Sequence, residues 1–182
     1  MEYSNQVLSN NTISNNIATN YGGGMFCQGS CEPLLLNCVF WNNSPYEIAY
    51  EQVNENCITI AHSDIQGGIE AIYTNNQAGI NWMEGNIDAD PLFVNAEIGD
   101  YFLMEDSPCI DTGIAYYEYE GEIVIDLSED EYYGIAPDMG ACEYDSVEED
   151  DHIIQNSKFK ISRILLIQRR ILSLNYLLPV MS

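Results

Sequence analysis

The segment Asn10-Asn11-Thr12-Ile13-Ser14-Asn15-Asn16 returns 27 residues later as Asn37-Cys38-Val39-Phe40-Trp41-Asn42-Asn43. Each copy has a polar start, a short strand-like centre and an Asn-Asn exit. Self-similarity at a period of 20–50 residues signals a solenoid, in which no single repeat buries its apolar face alone. Val7, Ser9, Asn11 and Ile13 alternate through the first copy. Leu34, Leu36, Cys38 and Phe40 hold the matching places in the second, and Thr59, Ala61, Ser63 and Ile65 hold them in a third, 25 residues further on. A period of two is expected to put each set on one strand face. The expected architecture is all-β, with short parallel strands stacked on their equivalents ~4.8 Å away.

The bends have their own chemistry. Asn15-Asn16 and Asn42-Asn43 fall where the chain turns, and Asn tolerates the left-handed backbone region. Stacked Asn side chains also bond to one another along an axis. Gly22-Gly23-Gly24 is expected to be a further bend using positive φ. It is no phosphate loop, since neither a GK[ST] sequence nor a nearby Lys follows it.

Charge narrows the function classes. The chain holds 29 acidic and 5 basic residues, a net charge of −24. All five basic residues lie within 158–170, so residues 1–157 contain no Lys or Arg. Such a body repels phosphate backbones, which excludes nucleic acid as its partner, and it repels anionic membranes. The 13 Tyr, 5 Phe and 2 Trp argue against disorder despite the charge. No run of 18 apolar residues marks a membrane span. The Asn, Gly, Ser and Tyr content suits an extracellular β-rich protein. No signal peptide opens the chain and the repeat is already running at Val7, so the expectation is a C-terminal piece of a longer secreted protein.

Six Cys stand at 27, 31, 38, 57, 109 and 142. Cys38 is expected inside its repeat. Free small core residues are the plainer reading of the six, and Cys27 with Cys31, and Cys109 with Cys142, are the better candidates if bridges form. Zinc is disfavoured, with no CxxC pair and only His62 and His152 available.

Four later motifs follow in order: Asn86-Ile87-Asp88-Ala89-Asp90-Pro91-Leu92-Phe93, then Gly99-Asp100-Tyr101, then Ser107-Pro108-Cys109-Ile110-Asp111, then Asp138-Met139-Gly140-Ala141-Cys142-Glu143-Tyr144. This series resembles the closing region of secreted bacterial right-handed parallel β-helix proteins of the pectin-lyase-like group. The earlier Gly run, the Asn37–Asn43 copy and Ser63-Asp64-Ile65-Gln66-Gly67-Gly68 resemble their coils. The resemblance covers roughly residues 5–144. It implies a right-handed β-helix with its closing region over 1–144, a linker over 145–160 and a C-terminal sorting module beyond.

The same resemblance raises polysaccharide cleavage. A lyase of this group uses Arg as its base and Ca²⁺ with Lys or Arg to neutralise a uronate, and residues 1–157 supply neither basic residue. An inverting hydrolase needs two carboxylates ~6.5–9.5 Å apart. Asp88 and Asp90 are the nearest pair in sequence, and turn formation before Pro91 is the plainer role. Asp111 and Asp138 are expected to cap turns, and His62 to be exposed. Ca²⁺ is the one cation the acid-rich turns suit, with 126–131 (Asp-Leu-Ser-Glu-Asp-Glu) the densest cluster, although it lacks the EF-hand pattern. No catalytic or cofactor-binding residue is assigned. Tyr116, Tyr117, Tyr119, Tyr132 and Tyr133 form a candidate sugar-stacking or protein-contact patch, with scattered surface Tyr the plainer reading.

The tail inverts the composition. Ile161, Leu165, Gln168, Ile171 and Leu172 roughly keep helical spacing, with Gln168 breaking the stripe. A second expectation is a truncated sorting-domain remnant over 161–182, partly out of frame. One codon choice for Arg163 to Arg170, shifted by two bases, spells Asn-Pro-Phe-Asn-Pro-Thr-Thr, which resembles the start of such a domain. The reading as a whole is a secreted or surface scaffold that contacts glycans or cell-surface proteins. The alternative is a fragment of a carbohydrate-active enzyme whose catalytic coils lie upstream.

Overall fold

A computed structural model describes residues 6–29, 31–52, 57–75 and 79–146. They fall, except for Ser146, in one compact unit, Met1–Asp145. The tail, its helix and sorting-remnant readings and most of the linker lie outside the described residues.

The chain makes repeated passes through the same three sheets. The first pass is β1 (Val7–Ser9), β2 (Thr12–Ser14) and β3 (Met25–Gly29). The second is β4 (Leu34–Leu36), β5 (Val39–Trp41) and β6 (Ile48–Gln52). The third is β7 (Cys57–Ala61), β8 (Asp64–Ile65) and β9 (Ile72–Thr74), and β10 (Gly79–Trp82) opens a fourth. The resulting sheets are β1-β4-β7-β10, β2-β5-β8 and β3-β6-β9, all parallel. Val7 pairs with Leu34, Leu34 with Thr59 and Thr59 with Asn81. Equivalent positions therefore recur after 27, 25 and 22 residues, as their side-chain contacts across the passes also show. Two short 3₁₀ turns are the only helical elements among the described residues. The protein is thus all-β with parallel sheets, an arrangement compatible with a β-helix-like fold.

The interior is filled by one side chain per column. Leu8, Leu35 and Ile60 stack in the first sheet, Ile13, Phe40 and Ile65 in the second, and Met25, Ile48 and Ile72 in the third. Leu35, Phe40, Ile48, Ile60 and Ile65 are fully buried, each worth roughly 1.5–3 kcal/mol. The expected inward set Leu34, Leu36, Cys38, Phe40 is therefore not one face. Asn37 adopts φ 51°, and that left-handed residue shifts the parity of the alternation. Leu34 and Leu36 point outward, while Leu35, Cys38 and Phe40 point in. Asn10 and His62 occupy the same bend in the neighbouring passes, at φ 53° and 47°.

The Asn exits form the expected ladders. Asn42 donates to Asn15, and Asn16 Nδ2 donates to Asn43 Oδ1 at 2.9 Å. The Gly run works differently from expectation. None of Gly22, Gly23 and Gly24 has positive φ. Instead a Cβ on Gly22 would lie 2.7 Å from Ala49 N, one on Gly23 2.6 Å from Ser44 N, and one on Gly24 2.5 Å from Glu47 O. The glycines let two successive passes touch backbone to backbone.

After β10 the chain turns back over the outside of the sheets. It forms a hairpin of β11 (Phe93–Asn95) and β12 (Asp100–Leu103), then a second of β13 (Tyr116–Tyr119) and β14 (Glu122–Asp126). All six cysteines stand as thiols. Neither candidate bridge, Cys27–Cys31 or Cys109–Cys142, forms, in keeping with the reading as small core residues, and Cys109 Sγ donates to Asp64 Oδ2 at 3.4 Å.

Candidate functional site

Each of the three sheets has an outward face, and the three faces meet different fates. On the first, Leu34, Leu36 and Ala61 are covered by Ile125 with Ile114, Tyr117, Tyr119, Val124 and Leu127. Tyr119 OH also meets Thr59 Oγ1 at 3.1 Å. The candidate tyrosine patch is thereby split between two faces. Tyr117 and Tyr119 seal the first sheet, whereas Tyr116 and Tyr133 are exposed.

On the second sheet, Val39 packs with Leu103, Cys109 and Met139, flanked by Trp41, Ile87, Phe93, Ile110 and Tyr144. Two features hold this cover down. Asn37, fully buried, donates Nδ2 to Ile114 O at 2.9 Å and accepts Ile114 N–H at Oδ1 at 2.8 Å. Gly140, at φ 104°, sits so close that a Cβ would lie 2.8 Å from Thr12 Oγ1 and 3.3 Å from Val39 Cγ2. Only glycine combines that φ with that approach.

The carboxylates are largely committed to this closure. Asp138 accepts the N–H of Asp111 at 2.8 Å and of Tyr144 at 2.5 Å. Asp111 Oδ1 accepts the N–H of Ile135 at 2.7 Å, and Glu143 accepts that of Asp138 at 3.1 Å. Burial first, then the negative charge of Asp138, pushes Glu143 up to about 7. Asp64 is fully buried, accepting Ala89 N–H and the Cys109 thiol. Burial, reinforced by Asp88 and Asp90, pushes it up to about 7 despite those hydrogen bonds. Buried acceptors whose lone pairs are taken by backbone N–H groups fix turns.

Asp88 and Asp90 do not share a strand face. Asp88 takes Gly67 N–H at 2.8 Å, and Asp90 takes Leu92 N–H at 3.0 Å. Asp90 instead lines a groove of about 510 Å³ together with Glu97, Trp41, Asn15, Asn42 and Phe93. In the 126–131 turn, Glu131 Oε2 is held by Ser128 N and Oγ at 3.0 and 2.8 Å. Among the described residues no group of three or more His, Cys, Asp or Glu is placed to hold a metal ion. His62 is half-buried rather than exposed, and its ring lies where a Cβ on Gly85 would be.

Among the described residues, no packed cover lies over the outward face of the third sheet. Its column runs Phe26–Ala49–Tyr73 across β3, β6 and β9. The central Ala49 leaves a low floor, and rings close over it. Tyr21 stacks on Phe26 at 5.0 Å and 7°, Tyr21 tilts against Tyr73 at 5.8 Å, and Tyr46 tilts against Tyr73 at 5.1 Å. Phe26, Tyr21 and Tyr46 remain 43%, 39% and 37% exposed. In the next outward column Gln28 Nε2 donates to Glu51 Oε2 at 3.2 Å, and Tyr73 also bonds Glu51.

No family model, curated protein or solved structure matches the chain.

This four-ring face was missed in the sequence. Phe26, Ala49 and Tyr73 share no local motif and become neighbours only through the pairing register. The signal that pointed toward them was the Gly run beside Tyr21, which forces close contact with the next pass. Among the described residues no helix is long and apolar enough to cross a membrane.

Proposed function

We propose that the chain is part of a secreted or cell-surface right-handed parallel β-helix that acts as a non-catalytic interaction scaffold. The pectin-lyase-like resemblance and the extracellular setting belong to this proposal. The observation that supports it most is the contrast of faces: two outward sheet faces carry a packed cover, and the third presents ordered aromatic rings to solvent. A surface of exposed aromatic rings of this kind suits adhesion to glycans or to cell-surface proteins. The buried carboxylates support the same reading, because they are spent on backbone N–H groups.

A second reading has one observation in its favour. Asp90 and Glu97 line the same groove beside Trp41, and glycoside hydrolysis uses two carboxylates flanking one bond. One assay separates the two. The purified full chain is incubated with polygalacturonate and with neutral glycans, and both retention on the immobilised polymer and release of reducing or unsaturated ends are followed. Retention without product supports the scaffold. Product release that Asp90→Asn or Glu97→Gln abolishes would establish the hydrolase.

A further inference from the structure

We infer that the aromatic face of the third sheet is a binding platform for an uncharged polysaccharide chain. The inference rests on the scaffold reading and names its ligand class and site. Phe26 and Tyr73 stand two strands apart, ~9.6 Å by strand spacing. That span accommodates more than one sugar ring lying along the β3-β6-β9 direction. The Tyr21–Phe26 stack, its two rings parallel and each about two-fifths exposed, leaves an apolar ring surface for the axial C–H face of a pyranose. Gln28, Glu51 and the Tyr73 hydroxyl form a polar edge for sugar hydroxyls, already organised by their own hydrogen bonds. Tyr and Trp-type surfaces with an apolar body and a polar tip suit such mixed ligands.

Charge selects among glycans. Residues 1–157 contain no Lys or Arg, so nothing in the body can neutralise a uronate or sulfate, and Glu51 on the rim repels one. A cationic ligand meets Glu51 beside the rings, and that carboxylate is already engaged by Gln28 and Tyr73. Area selects against a protein. With three rings about two-fifths exposed and Tyr73 less so, the rings present on the order of 300 Å², taking ~200 Å² for each aromatic side chain. A stable protein interface needs ~800 Å² on each partner.

The test is titration of the full chain with cellohexaose by calorimetry. Hexagalacturonate and a lysine hexapeptide are the anionic and cationic comparisons. Binding is expected for cellohexaose alone. Phe26→Ala and Tyr21→Ala are each expected to weaken it about tenfold, the worth of one good ring contact. Phe26→Trp should restore it, and Tyr116→Ala on the opposite hairpin should leave it unchanged. Melting midpoints measured on every variant separate lost binding from lost fold. Unchanged binding in Phe26→Ala and Tyr21→Ala overturns the platform, as does preference for either charged ligand or no binding of cellohexaose. Cleavage of the cellohexaose instead removes the scaffold reading, whatever the ring variants do.

Discussion

The outward face of the first sheet and that of the third are built from different strands of the same passes, and they solve the exposure problem in opposite ways. Leu34, Leu36 and Ala61 are aliphatic and cannot satisfy one another laterally. They are covered by a hairpin from more than 50 residues further along the chain. Phe26, Tyr21, Tyr46 and Tyr73 are broad enough to cover one another, and nothing else in the described chain seals them. Aliphatic outward positions therefore mark where the closing region must dock. Aromatic outward positions mark where the surface is left for solvent and ligands.

The contrast is sharpest under truncation. Leu36→Ala removes a fully buried side chain beneath the hairpin and should cost about 2–5 kcal/mol in chemical denaturation. Phe26→Ala, although a larger deletion, should cost under about 1 kcal/mol, since Phe26 is 43% exposed. Comparable losses at the two positions would break the distinction between sealed and bare faces.

The bends offer a second comparison of similar size. Asn10 and Asn37 are equivalent in the repeat and share a positive φ. Asn37 pins the closing region, through both the N–H and the C=O of Ile114. Asn37→Ala leaves both groups without their partner and should cost about 2–4 kcal/mol, against about 1 kcal/mol for Asn10→Ala. Equal melting shifts for the two variants would mean that Asn37 serves only the bend.

A smaller effect should appear in the pH dependence. Asp64 and Glu143 both have carboxyl pKa values raised to about 7 in the folded protein. The native state then binds more protons than the unfolded state between the ordinary carboxylate range and pH 7. Their contribution to stability is complete below the unfolded values and is lost as pH rises through about 7. The chain should therefore melt higher at pH 5 than at pH 8. Asp64→Asn keeps an acceptor for Ala89 N–H and should flatten that slope. A slope unchanged in Asp64→Asn would place the pH dependence elsewhere in the −24 charge. The smallest expected change is Tyr116→Ala, within about 0.5 kcal/mol of the parent, because Tyr116 is half exposed on the outer hairpin strand.

The repeat was legible in the sequence because parallel pairing stacks equivalent residues. The Asn10–Asn16 and Asn37–Asn43 copies had to meet, and their amide ladders and positive-φ bends followed from residue type. Which residues point inward was only half legible. Strict alternation failed at Asn37, where one left-handed residue reverses the phase without leaving any mark that a count of two detects. The sequence places Tyr116, Tyr117 and Tyr119 together but does not say on which side of the strand each lies, and Tyr117 and Tyr119 pack on the sealed face.

By itself, then, the sequence determined the parallel all-β character, the return of each pass after roughly 25 residues, and the charge contrast between an acidic body without Lys or Arg and a basic stretch over 158–170. These rest on local periodicity and on charge, which need no coordinates. The tertiary structure alone decided which outward faces are closed, why Asn37 is buried and Asn10 is not, and that Tyr21, Phe26, Tyr46 and Tyr73 form one surface. The physical reason is register. Residues 23 to 27 positions apart become neighbours ~4.8 Å away only once the passes stack. Which of them then reaches solvent depends on where a distant segment settles.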